Sequence, residues 1–188
     1  MPLAVFDIQH RGKPGRWSDR GAVAHGVEEV DLTHRYALAA DRELRRLGWE
    51  CCIIADGTYR DRWARADAYG AAVYVACHVD AGGGDRGTVF YDYRSARGVV
   101  LAEVVAGELG RAVPWKVEAK PARPDTDGRP GNEGEAPYAV IQGVRAVALC
   151  YEPGFIDGPP SHRRVLDERI DDIGRAIARG IVAWGRGA

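Results

Sequence analysis

The stretch Ala71-Ala72-Val73-Tyr74-Val75-Ala76-Cys77-His78-Val79-Asp80-Ala81 decides the fold class, because an apolar run turns polar at its last residues and Gly82, Gly83 and Gly84 then stop it. Small and β-branched residues in unbroken sequence suit a strand covered on both faces, and such strands lie in the middle of α/β sheets. Ligands of open α/β sheets gather beyond the carboxyl ends of the strands, so this run delivers His78 to a place where it can work. A lone histidine there is more commonly a packed residue bonded to backbone. His78 is not alone.

Leu3 to Ile8 reads as a first strand, and it ends in Gln9-His10-Arg11-Gly12, a second histidine at a strand end. Lys13 to Gly21 is rich in Gly and charge and reads as a loop. From Val30 the apolar positions Leu32, Tyr36, Ala39 or Ala40, Leu44 and Leu47 recur every three or four residues, which predicts a helix closed by Gly48. Glu28 and Glu29 fall at its amino end, where attraction of an acid to the helix terminus already explains them. Trp49 to Ala55 predicts a strand, Arg60 to Tyr69 a short helix, Gly87 to Tyr93 a strand and Ser95 to Leu109 a helix.

Val113 to Pro137 is proline-rich, charged and too long for an ordinary connection, so it is expected to be a flap bordering a cleft. Val144 to Tyr151 is a last apolar strand, ending in Glu152-Pro153-Gly154-Phe155. Arg164 to Trp184 closes the chain as an amphipathic helix. This order predicts an α/β fold: a mixed, mostly parallel sheet of about six strands with helices on both faces, in a single domain over residues 1–188.

The 26 basic and 27 acidic residues nearly cancel, so nothing in the bulk charge draws the chain to nucleic acid. No apolar run approaches membrane-spanning length, and membrane insertion is not expected. The amino terminus carries no basic segment followed by an apolar stretch and a cleavage site. Cys51, Cys52, Cys77 and Cys150 lie inside apolar runs without paired spacing, and read as small buried hydrophobes in a reducing compartment.

Catalytic zinc takes three protein ligands, histidine or carboxylate, and keeps one position for water. His10, His78 and one of Glu28 or Glu29 would supply that set. Glu152, at a third strand end, is the natural group to accept a proton from the water. His25, His34 and His162 read as surface or capping residues, with His25 near enough in sequence to support the glutamate. Cys77 beside His78 does not make a nucleophile and base, because neighbours on a strand point to opposite faces.

Several motifs resemble the third family of zinc-dependent N-acetylmuramoyl-L-alanine amidases, which includes cell-wall amidases and phage endolysins. Asp7-Ile8-Gln9-His10-Arg11-Gly12 with Asp19-Arg20-Gly21-Ala22 is similar to the family's opening motif. Glu29 with Asp31 and Leu32 resembles the family's zinc glutamate better than Glu28 does. Arg62, Ala66-Asp67 and Ala76-Cys77-His78-Val79-Asp80-Ala81 resemble the central block, with Gly87 and Tyr91 following. Ala148-Leu149-Cys150-Tyr151-Glu152-Pro153-Gly154-Phe155-Ile156 resembles the last. Gln9 stands where the family has glycine, Asp67 and Asp80 where it has asparagine, and Val147 where it has proline.

The resemblance implies Zn²⁺ held by His10, Glu29 and His78, Glu152 as general base, and cleavage of the peptidoglycan amide between N-acetylmuramic acid and L-alanine. A monomer that acts on the wall is expected; the lack of an export signal and of a separate wall-binding segment suits a phage-type lysin made in the cytoplasm and released through a membrane lesion, and a mature exported enzyme is the competitor. The competing readings are an inactive amidase-like module that binds wall, and a related zinc peptidase. A binder has no need of Glu152.

Overall fold

The computed structural model describes residues 1–15, 18–122 and 139–187. Its centre is a six-stranded sheet of β1 (Leu3–Ile8), β4 (Glu50–Ile54), β5 (Val73–Cys77), β6 (Arg86–Asp92), β7 (Lys116–Ala122) and β8 (Val147–Glu152), in the order β4-β1-β5-β8-β6-β7. The first four strands of that order are parallel; β6 runs against β8, and β7 runs parallel to β6. A small hairpin of β2 (Val23–Ala24) and β3 (Val27–Glu28) precedes the first helix. This is the mixed, mostly parallel sheet that the apolar runs predict, and β5 is indeed interior and buried throughout.

The two faces of the sheet are covered differently. On one lie α1 (Glu29–Arg46), α3 (Ala96–Ala112), α5 (Pro160–Glu168) and α6 (Ile170–Gly187), which enclose Ala4, Phe6, Ile8, Val73, Val75, Cys77, Leu149 and Tyr151 with Leu32, Leu101, Leu109, Ile173, Ile177 and Ile181. On the other lie α2 (Tyr59–Ala68) and the one-turn α4 (Ala139–Gln142), over Val5, Ile54, Tyr74, Ala76, Ala148 and Cys150. Alternation along β1, β5 and β8 sends successive side chains to these two clusters, as strand geometry requires. Close packing of α6 on α1 depends on Gly174, where a Cβ would stand 2.3 Å from the carbonyl oxygen of Tyr36.

Two expectations need correction. The segment expected as a flap contains β7: Val113 and Trp115 are buried, and Lys116–Ala122 pairs with β6 from Arg86 to Asp92. Its proline and charges suit an edge strand, where an absent N–H is harmless and like-with-like pairing is discouraged; residues 123–138 of the expected flap lie outside the described ones. The closing helix is two helices, α5 and α6, with a break at Arg169. The β2–β3 hairpin is too short for a periodicity to show. Among the described residues no helix is long and apolar enough to cross a membrane.

Candidate active site

The carboxyl ends of β1, β5 and β8 lie side by side, and each carries one of the singled-out residues. His10 is the second residue after β1, His78 is the residue after β5, and Glu152 ends β8. Pairing continues past the strands: the His78 amide donates to Tyr151 O at 3.0 Å and the Asp80 amide to Gly154 O at 2.9 Å, so His78 and Glu152 are set at neighbouring positions. Buried Tyr36, on α1, donates its hydroxyl toward His78 O at 3.2 Å and Tyr151 O at 3.4 Å, joining the same two strand ends from below.

Glu29, the first residue of α1, is 4% exposed and sits between the imidazoles. Its Oε1 is 3.0 Å from His78 Nδ1 and its Oε2 is 3.6 Å from His10 Nε2. The same oxygens accept the amides of Val79 at 3.1 Å and Ala22 at 2.8 Å. One ligand atom from each of His10, Glu29 and His78 lies within 4.8 Å of the others. Burial pulls the Glu29 carboxyl upward, but His78, His10 and the Ala22 amide outweigh it and hold the group below its ordinary range. Glu28 instead lies on β3 and pairs with Arg20 at 3.0 Å.

His10 adopts φ 66, a left-handed conformation that costs a residue with a Cβ about 1–2 kcal/mol. Its Nδ1 lies 3.2 Å from both oxygens of Asp19, which leaves Nε2 turned to Glu29. Asp19 is itself held by the Gly21 amide at 3.0 Å, and the contacts with Gly21 and His10 overcome its partial burial to lower its pKa. A carboxylate on the outer nitrogen fixes the tautomer that presents the inner one to a metal.

Glu152 behaves in the opposite way to Glu29. Burial pushes its carboxyl up to about 7, with His78 opposing and Asp80 and Glu29 adding to the shift. A partner thiol, Cys150, sits 3.7 Å away. A carboxyl poised near neutrality, close to the His78 imidazole and the Glu29 carboxylate, can take and return a proton.

A family model described as N-acetylmuramoyl-L-alanine amidase, Amidase_3, matches residues 7–183. The chain belongs to this family. It is accordingly an enzyme of the amidase class, a hydrolase of peptidoglycan. Its sequence is 25% identical over 192 residues to N-acetylmuramoyl-L-alanine amidase CwlM of Bacillus licheniformis, covering 96% of this chain and 68% of that protein. Its fold is similar to that of the amidase AmiC2 of Nostoc punctiforme, with TM-score 0.79, 21% identity and coverage of 98% and 97% of the two chains. It is equally similar to Cwp6 from Clostridium difficile, with TM-score 0.79 and 20% identity, and there this family member covers 96% of its own length and 28% of the other chain.

The structure thus brings together His10, Glu29, His78 and Glu152. Of the remaining histidines, His34 faces Arg11, with Nδ1 3.0 Å from the guanidinium, and His162 stacks on Trp115 at 4.2 Å between ring centroids. His25, considered as a support for the glutamate, lies exposed at the tip of the β2–β3 turn with φ 53; Asp19 makes the carboxylate contact to His10 instead. Asp19 belongs to the opening motif, but only the three-dimensional pairing with His10 shows its part. All four cysteines are free, and Cys51, Cys77 and Cys150 are buried.

Proposed function

We propose that residues 1–188 act as one catalytic unit, monomeric, that hydrolyses the amide between N-acetylmuramic acid and L-alanine with Zn²⁺ as cofactor. The observation that carries this is the convergence of two imidazoles and a carboxylate within 4.8 Å, with Glu152 at the adjoining strand end. That donor set fits a catalytic zinc, which takes three such ligands; the outer nitrogen of His10 is already held by Asp19, and the two oxygens of Glu29 by the amides of Ala22 and Val79. His10, Glu29 and His78 would hold the ion. Zinc bound there supplies Lewis acidity toward a carbonyl and lowers the pKa of water from 15.7 to roughly 7.

The remaining steps belong to the chain. Glu152 removes a proton from the attacking water and delivers it to the departing L-alanine nitrogen, which would otherwise leave as an unstable anion. Its raised pKa suits both halves of that transfer. The monomer reading rests on the sheet edges: Arg45 donates to the Cys51 carbonyl of β4 at 2.8 Å, and β7 carries Lys116, Glu118, Lys120 and Pro121.

Purified cell wall incubated with the protein should yield new amino-terminal L-alanine, read by mass spectrometry, and chelation should abolish it. New reducing sugar ends, or cuts within the stem peptide, would refute the assignment. Glu152→Gln should retain zinc and lose activity by at least about 10²-fold. Wall binding without turnover by the parent would leave a binding module.

A further inference from the structure

Arg62 is 0% exposed, yet the proposed chemistry gives it no task. It lies on α2, under the turn that carries His10, and its donors are spent on that turn. Nη1 donates to Ile8 O at 2.8 Å and to Asp7 Oδ1, Nη2 donates to Arg11 O, and Nε donates to Gly57 O at 2.9 Å. The Gly57 amide in turn donates to Gly12 O at 3.1 Å. Two of the accepted carbonyls, those of Ile8 and Arg11, bracket the left-handed His10 in the chain. The counter-charge Asp7, also 0% exposed, is held by the Tyr74 hydroxyl and by Gln9 Nε2 at 2.5 Å.

We infer that Arg62 is a positioning residue, whose planar fork clamps the carbonyls on either side of His10 and so holds that imidazole in its left-handed, metal-facing pose. This rests on the reading of His10 as a zinc ligand. A left-handed residue with a Cβ persists only where its surroundings over-determine it, and among its neighbours the guanidinium supplies bonds to both flanks at once. An ion pair alone would need only the charge. A lysine at 62 could still face Asp7 but, as a point donor on a flexible stem, could not span Ile8 O, Arg11 O and Gly57 O together.

The test compares metal binding with folding. Zinc affinity of the apo protein, measured by competition with a chromophoric chelator, should fall at least about tenfold in Arg62→Lys, the scale for losing support of a ligand. The visible spectrum of the Co²⁺-loaded protein should change as well. Ile177→Ala, which loosens the opposite layer, should alter stability while leaving affinity within about twofold and the Co²⁺ spectrum unchanged, so destabilisation alone does not imitate the effect. An unaltered affinity and spectrum in Arg62→Lys would overturn the clamp. A parent that binds no zinc would refute the metal reading itself. Should Arg62→Lys fail to fold, NMR of the apo parent decides: couplings across the hydrogen bonds from Arg62 Nη to the carbonyls of Ile8 and Arg11 are expected, and their absence overturns the proposal.

Discussion

The two layers that flank the sheet solve different problems. The layer of α1, α3, α5 and α6 is thick and apolar, with Phe6, Ile8, Leu101, Leu109, Ile173, Ile177 and Ile181 all fully or nearly fully buried. The layer of α2 and α4 is thin, and next to Val5, Tyr74 and Ala76 it buries Asp7, Gln9 and Arg62. Burying apolar area stabilises at about 25 cal/mol per Å², whereas burying charge costs free energy that its pairing repays only in part. Stability therefore resides in the first layer, and the second spends some of it to fix the shape of the turn around His10.

The largest expected effect comes from breaking the charge pair. Arg62→Met should destabilise by about 3–5 kcal/mol, because Asp7, whose pKa burial already raises, is left buried without its partner. Adding Asp7→Leu should restore part of that stability in a denaturant titration but none of the zinc affinity. Recovery of both would mean that the polar layer serves folding alone. Next is Ile177→Ala, a cavity in the apolar layer, expected to cost about 3 kcal/mol within the usual 2–5.

Glu152 tests the contrast from the other side, because its ionised form is disfavoured by the fold. Its pKa is raised to about 7 from an ordinary 4.5, so its protonated form stabilises below pH 4.5 and that contribution is lost as pH rises through 7. At pH 8 the metal-free Glu152→Gln protein should therefore be more stable than the parent by about 1–2 kcal/mol, with allowance for partial exposure, and the gain should vanish near pH 4. A loss of stability at pH 8 would show that Glu152 is a structural acid.

The smallest effect belongs to Glu43, which pairs with Arg46 on its own helix α1 at 2.8 Å and reaches across to Arg179 of α6 at 3.3 Å. Arg46 lowers the Glu43 carboxyl to about 2 despite its burial, with Arg179 helping. The stability this gives is present above pH 4.5 and disappears as pH falls toward 2. Glu43→Gln should lower the melting temperature at pH 7 by a few degrees, for up to about 1 kcal/mol after screening, and by much less at pH 2.

The apolar layer was legible in the sequence because it is periodic: β5 as an unbroken apolar run, α1 and α6 as three-and-four spacings. Strand-end positions of His10, His78 and Glu152 followed from the same runs, and the choice of Glu29 over Glu28 from its motif. The polar layer was not legible. Asp7 and Arg62 each stand in a motif that the resemblance picks out, but they are 55 residues apart and neither motif says that they pair, so their meeting is a property of the folded chain. Asp19 against His10 is of the same kind. β7 was missed because its alternation of Val117 and Ala119 with charged residues is short and ends in Pro121, which reads locally as a breaker.

Gly174 carries no functional group, and lies far along the chain from every residue of the site. Yet the absence of one methyl there lets α6 rest on the backbone of Tyr36, whose hydroxyl reaches the carbonyls of His78 and Tyr151. Inheritance of this site through sequence drift is thus constrained at a position that a survey of reactive side chains would pass over: a lineage could exchange much of the apolar layer for other hydrophobes of equal volume, but could not add a carbon atom at residue 174 without moving the helix from which the strand ends are held.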